Sequence, residues 1–384
     1  MLAVPTPATK LCLVAALFCG ACASNSSTMP SPKPIDVTSS RASHSPLVYV
    51  GGTGQISIFE LDATSGKLSL RKSVDAGNTP SFLSFDRTRT HLYAVNEGSA
   101  QVASFAVDPS SGDLTLLNRV DSGGASPCFV TLDHSGKYVM VANYTGGTTR
   151  VFPIAANGSL GPPSDDKAPG KNSHMIFTDP ANRFAFVMNL GSDSVVQYAF
   201  DVGKGTLAPN SVPAISTAPG AGPRHMAFHP NGKYAYLINE LDDTILPLAY
   251  DAARGTLAPL QAPLSTLPAG TDGSQNSCAE VVVAPSGNFV YGSNRGHDSI
   301  VTFSVDSNTG KLSYVGTTPS GGNRPRSFTL SSDGKLMLVA NESGNVSSFS
   351  VDPTTGKLSP LLTTEVPAKP QFVGIVDLTE SHTP

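Results

Sequence analysis

Arg224 and Glu240 stand at equal distances on either side of Gly232, in the turn sequence Asn231-Gly232. Asn-Gly is a strong hairpin signal, so a hairpin closed there sets this arginine opposite this glutamate at its open end. The same construction about Asn182 sets His174 opposite Leu190. An arginine fork can hold a carboxylate or phosphate, and a glutamate or histidine beside it can move a proton. The chemistry on offer is an anion site with an acid–base group. A plainer reading stands next to it, in which Arg224–Glu240 is a cross-strand ion pair that only supports the fold, since structural networks gather charges too.

Two signatures show which elements must position these residues. Gly-x-Leu follows a polar turn at Gly66, Gly112, Gly158, Gly205, Gly255, Gly310 and Gly356, at spacings of 46, 46, 47, 50, 55 and 46 residues. Apolar runs ending in asparagine close at Asn96, Asn143, Asn189, Asn239, Asn294 and Asn341, with Gly51 in the equivalent place of the first repeat. One period reads as four short strands: Met226–Phe228, Tyr234–Leu237, a third within Asp243–Tyr250 and a fourth from Leu257. No stretch after Ser45 sustains helical periodicity. Four strands per repeat of about 45 residues is the arithmetic of a propeller blade. The predicted fold is therefore all-β: a seven-bladed β-propeller with four antiparallel strands per blade, over residues 46–384. Phe372–Leu378 has no partner after it, and Leu47–Gly51 has no innermost strand before it. The two ends are expected to complete one blade, which removes the open edge of a linear array.

The innermost strands of a propeller line its channel, so equivalent positions share one end of it. The residue after each terminal asparagine gives the ring Gly52, Glu97, Tyr144, Leu190, Glu240, Arg295 and Glu342. The strand-start positions add His174, Arg224, His225, Glu280 and Arg326. Only 14% of the chain is charged, against the usual quarter, so this gathering of ionisable groups is the main functional clue.

The stretches Gly222-Pro223-Arg224-His225-Met226-Ala227-Phe228-His229-Pro230 and Tyr236-Leu237-Ile238-Asn239-Glu240-Leu241 resemble the bacterial lactonase family of seven-bladed propellers. That family includes propeller-type 6-phosphogluconolactonases and is related to the fungal carboxy-cis,cis-muconate cyclase. Val141-Ala142-Asn143-Tyr144-Thr145-Gly146-Gly147, Ser293-Asn294-Arg295-Gly296-His297-Asp298-Ser299-Ile300 and Arg324-Pro325-Arg326 carry the resemblance further, over residues 46–378. It implies lactone-ring chemistry with His174, Glu240, Arg224 and Arg295 as the working set. Arg224 and Arg295 would hold an anionic group and polarise the lactone carbonyl, with Glu240 or His174 as base on water. His225, Glu280, Arg326, Asn143 and Tyr144 are the expected substrate contacts. The chain departs from the family in having Phe129 where histidine is common, Asn189 where aspartate is common, and Lys171-Asn172-Ser173 in place of a His-rich lead-in to His174. These changes are expected to remove polar groups from the mouth.

Composition narrows the rest. A net charge of −4 lacks the Lys/Arg excess that nucleic-acid binding needs. The absence of tryptophan argues against a WD-type repeat. Lys10 followed by the apolar run Leu11–Ala21 reads as an export signal. Gly20-Ala21-Cys22 resembles a lipobox with Cys22 as the lipidated residue, although Cys19 stands where leucine is usual. Ordinary cleavage near Ala21 or Ala23 is the alternative. Residues 23–45 read as a Ser/Pro/Thr-rich tether. The cysteines outside the leader, Cys128 and Cys278, lie three blades apart and are not expected to bond. No cofactor or metal is called for, and a closed propeller needs no partner chain, so a monomer is expected, with the membrane entering only through the lipid. Two function classes follow: an exported lactonase acting on a small-molecule lactone, or a noncatalytic propeller binding a ligand or partner at the same mouth. A cyclase or isomerase using the same residues in reverse is the alternative within the enzyme class.

Overall fold

The second strand of each repeat is where the sequence is most continuously apolar, and burial there is deepest. Leu47–Gly52, Tyr138–Asn143 and Leu336–Asn341 are buried at every position, as a strand must be when neighbouring sheets pack on both its faces. The outermost strands, such as Leu114–Asp121, are largely exposed. The computed structural model describes residues 45–378. The leader, the tether up to residue 44 and residues 379–384 lie outside the described residues, and Cys22 with them.

Seven antiparallel sheets form, each of four strands except one that adds a short fifth, Leu264–Ser265. Blades 2 to 7 open with the innermost strands Pro80–Phe85, Pro127–Leu132, Ser173–Thr178, Pro223–Phe228, Ser277–Val283 and Pro325–Leu330. Blade 1 takes its innermost strand, Pro370–Val376, from the other end of the chain, with Leu47 opposite Val376 and Gly51 opposite Phe372. The ring is closed as the two orphan runs predicted.

The Gly-x-Leu signature joins blades as well as counting them. Gly112 accepts left-handed backbone (φ 73°) at the turn between the outer two strands, and its N–H bonds back to the Asp108 carbonyl at 2.7 Å. Its own carbonyl accepts the hydroxyl of Tyr49, in the neighbouring blade, at 2.7 Å. Tyr93–Gly158, Tyr236–Gly310 and Tyr291–Gly356 repeat the joint at 3.0, 3.1 and 3.0 Å. A Cβ on Gly112 would stand 2.2 Å from Leu47 and 2.6 Å from the Tyr49 hydroxyl, so only glycine fits.

A second repeated device shapes the other end of the blades. The residue before the innermost strand is left-handed at Thr79, Ser126, Asn172, Gly222 and Arg324. Its carbonyl accepts the N–H of the residue after the terminal asparagine: Glu97, Tyr144, Leu190, Glu240 or Glu342, at 2.7–3.2 Å. The ladder then opens with Pro223 opposite Asn239 and resumes with His225 opposite Ile238. This corrects the expected register. Arg224 is not cross-strand to Glu240, nor His174 to Leu190; each is the extra residue of a β-bulge, with Ser173 opposite Asn189 and Met175 opposite Met188 in blade 4. A bulge leaves one residue outside the ladder and re-aims its side chain. Equal counting from the turn cannot see that extra residue.

Candidate active site at the mouth of the channel

The bulges at Arg224 and His174 bring these residues into one cluster with Glu240 and Arg295, which stand at the ends of second strands. Glu240 bridges two guanidiniums, with Oε2 2.9 Å from Arg224 Nε and Oε1 2.9 Å from Arg295 Nη2. Both arginines are almost wholly buried and are also held by backbone: Arg224 Nη1 donates to the Ala279 carbonyl at 2.6 Å, and Arg295 Nη2 to that of Cys278 at 2.8 Å. Burial alone raises the Glu240 carboxyl, but the two arginines outweigh it and hold the group below its ordinary range. Burial, with Arg295 close by, lowers Arg224 to about 10.

His225 packs against this cluster, with Nδ1 2.9 Å from Glu280 Oε1 and Nε2 3.3 Å from Arg224 Nη1. Arginine can only donate, so Nε2 accepts and Nδ1–H donates to Glu280. Burial lowers the His225 pKa despite Glu280, consistent with this neutral form. The His174 ring lies 5.0 Å from that of His225 and 5.6 Å from that of Tyr144, centroid to centroid. Burial and then Arg224 push His174 well below its ordinary value, so it is neutral near pH 7. Three buried polar atoms here make no hydrogen bond among the described residues: His174 Nδ1, Arg224 Nε and Arg295 Nε. Arg224 Nε is at ion-pair distance from Glu240, but its N–H is not directed at the carboxylate.

A looser charged group borders the cluster. Arg326 lies 3.8 Å from Glu97 and 3.7 Å from Glu342, while Arg324 Nε bonds Glu342 at 2.9 Å. Beneath, the seven innermost strands line a channel cavity of about 530 Å³. Phe82 contacts Phe129 at 4.3 Å and Phe372 at 4.9 Å between centroids, and Phe129 meets His225 at 5.2 Å. Residue 129 therefore supplies an aromatic wall where the family's histidine was expected.

The structure brings His174, Arg224, His225, Glu240, Glu280, Arg295 and Tyr144 together, with Arg326 beside them. Asn143 is not brought to the cluster. It is fully buried, and its amide holds the Ser122 carbonyl at 2.9 Å and Thr148 at 3.1 Å, a loop-fixing task its equivalent Asn341 repeats on Ser320. Asn189 is likewise fully buried and accepts from the Ser173 hydroxyl, so this departure from the family sits at the end of its strand, against the start of the innermost one, and not in the open mouth. Burial pushes the Cys128 thiol up to about 12 and raises Cys278 further; both are free, and neither is a ready nucleophile. Sequence reasoning missed the bulge as the positioning device, Arg324, and the aromatic wall of Phe82 and Phe372. The recurring proline at strand starts, Pro80, Pro127, Pro223, Pro325 and Pro370, was the available signal: the residue after each proline is the bulge.

Fold and site together define a closed seven-bladed propeller whose polar chemistry is gathered at one end of its channel. The chain belongs to the lactonase family of seven-bladed β-propellers: the family model described as "Lactonase, 7-bladed beta-propeller" matches residues 42–374. It is 36% identical to a 6-phosphogluconolactonase of Bacillus subtilis, over 77% of this chain and 87% of that protein. It is 34% identical to one of Formosa agariphila, again over 77% and 87%. Among solved structures, a periplasmic gluconolactonase of Pseudomonas aeruginosa superposes with a TM-score of 0.81 at 28% identity, covering 87% of this chain and 99% of that one.

Proposed function

We propose that the protein is a lactone hydrolase. The observation that carries this is the convergence of two immobilised arginines, the carboxylate between them and a neutral buried histidine on one mouth. In this reading the lactone carbonyl oxygen lies against the Arg224 and Arg295 guanidiniums, which stabilise the oxyanion that forms as water attacks the carbonyl carbon. His174 takes the proton from that water, the ring C–O bond breaks, and the same proton passes to the departing alkoxide. Water adds across the ester and a hydroxy acid leaves. Glu240 is the weaker candidate for base, because each of its oxygens faces a guanidinium. Its part is to hold the two arginines in place.

The test is hydrolysis of a panel of sugar and organic-acid lactones, corrected for spontaneous opening. Loss of a general base lowers the rate by about 10²-fold or more. His174→Gln should therefore lose that much kcat with its thermal transition near pH 7 intact, and Glu240→Gln should lose kcat with little change in KM, because the arginines it fixes no longer face the oxyanion. No lactone hydrolysis above these variants would sink the enzymatic reading in favour of a binding propeller.

Export forms part of the proposal. The apolar run before Cys22 supports it, as does the likeness to a protein named as periplasmic. No helix among the described residues is long and apolar enough to cross a membrane; in this proposal a lipid at Cys22 supplies the attachment.

A further inference from the structure

We infer that the substrate is an uncharged polyhydroxylated lactone and not one carrying a phosphate; this rests on the hydrolase reading of the site. Every arginine of the mouth already has a carboxylate. Glu240 answers Arg224 and Arg295, Glu342 answers Arg324, and Glu342 and Glu97 together flank Arg326. Glu280 adds a further carboxylate beside His225. With His174 and His225 neutral, four guanidiniums face four carboxylates, and the mouth as a whole carries no net charge.

A phosphate ester brings a charge of about −1.5 to −2 at neutral pH. Wherever it met an arginine it would stand beside a carboxylate inside the mouth, since Glu97 and Glu342 flank Arg326 at 3.8 and 3.7 Å and Glu240 lies between Arg224 and Arg295. The surrounding loops make matters worse for an anion. They carry Asp193, Asp242, Asp243, Asp272 and Asp298, while their cations beyond those already named are Lys171 and Lys369. An acidic rim repels an incoming dianion and lowers its encounter rate.

The charge is distributed differently at the reacting centre. Arg224, Arg295 and Glu240 sum to one positive charge, buried and held in place. That suits an oxyanion that exists only in the transition state and adds nothing to ground-state binding of a neutral ester. The arginine–glutamate pairs around it offer donors and acceptors side by side, which matches sugar hydroxyls, since each hydroxyl both gives and takes a hydrogen bond.

The experiment compares glucono-δ-lactone with its 6-phosphate as substrates of the whole protein near neutral pH. We expect kcat/KM at least about tenfold higher for the neutral lactone, equal to about 1.4 kcal/mol of transition-state stabilisation. In Glu342→Gln, which leaves Arg324 and Arg326 with less countercharge, the ratio should narrow. Equal or better use of the phosphorylated lactone overturns the inference and leaves the hydrolase reading standing. If neither lactone is hydrolysed, that reading falls, and calorimetry with 1,5-anhydroglucitol and its 6-phosphate, which cannot be hydrolysed, decides the charge preference alone. Tighter binding of the neutral sugar keeps the inference; tighter binding of the phosphate, or no binding of either, overturns it.

Discussion

His174 shows how burial sets a residue's chemistry. Its side chain is 4% exposed, and burial together with Arg224 lowers its pKa well below 6.5. His225 is lowered as well. In the unfolded chain both imidazoles return to an ordinary value of about 6.5, so below that pH the unfolded state binds protons that the folded state refuses. Their contribution to stability is therefore complete above about pH 6.5 and is lost progressively as pH falls toward the folded-state values. Glu240, also lowered, adds a further loss only in the carboxylate range. The expected outcome is a thermal midpoint that drops between about pH 7 and pH 5.5, with a shallower slope in His174→Gln. An unchanged slope in that variant would place the titration elsewhere.

At the scale of strands and turns, stability is concentrated in joints between blades. The Tyr93 hydroxyl is buried and bonds the Gly158 carbonyl of the next blade at 3.0 Å. Tyr93→Phe leaves that carbonyl without its partner, which costs about 1–3 kcal/mol. Gly112→Ala should cost more: the alanine must adopt a φ of 73° and intrude to 2.2 Å of Leu47, combining left-handed strain with overpacking worth about 1–3 kcal/mol. Differential scanning calorimetry of the two variants should rank them in that order, with neither changing the KM for a lactone, because both sites lie at the end of the blades remote from the mouth. The bulges at the opposite end carry position more than stability. They move Arg224 and His174 out of the ladder, and the carbonyl of the left-handed residue before each fixes Glu240 and Leu190 in turn.

The described residues close into a ring whose last strand is its first blade's innermost one. Closure gives the reaction site a fixed frame, because the seven innermost strands are held against their neighbours all the way round. Under the export proposal, the full chain should fractionate with membranes and Cys22→Ser should move it to the soluble fraction, both with equal lactonase activity. A wild-type chain that is soluble after processing would point to simple cleavage near Ala21 or Ala23.

The sequence by itself determined the number of blades, the four strands in each, the closure by Leu47–Gly51 with Phe372–Leu378, and the end of the ring where charge collects. Those features rest on short-range patterns: a glycine that must be left-handed, an apolar run of strand length, a repeat of nearly constant period. Arg224, Glu240, Arg295 and His174 were legible because equivalent positions in a repeat share one end of the channel. The tertiary structure alone decided how they meet. The bulge shifts the register by one residue without altering the hydrophobic pattern, since the extra residue falls at the strand start, where no alternation reveals it. The pairing of each arginine with a carboxylate from another strand or blade, as in Arg295 with Glu240 and Arg326 with Glu97, is likewise absent from any local pattern. Net charge at the mouth depends on which side chains the closed ring brings within a few ångströms, and that distance exists only after folding.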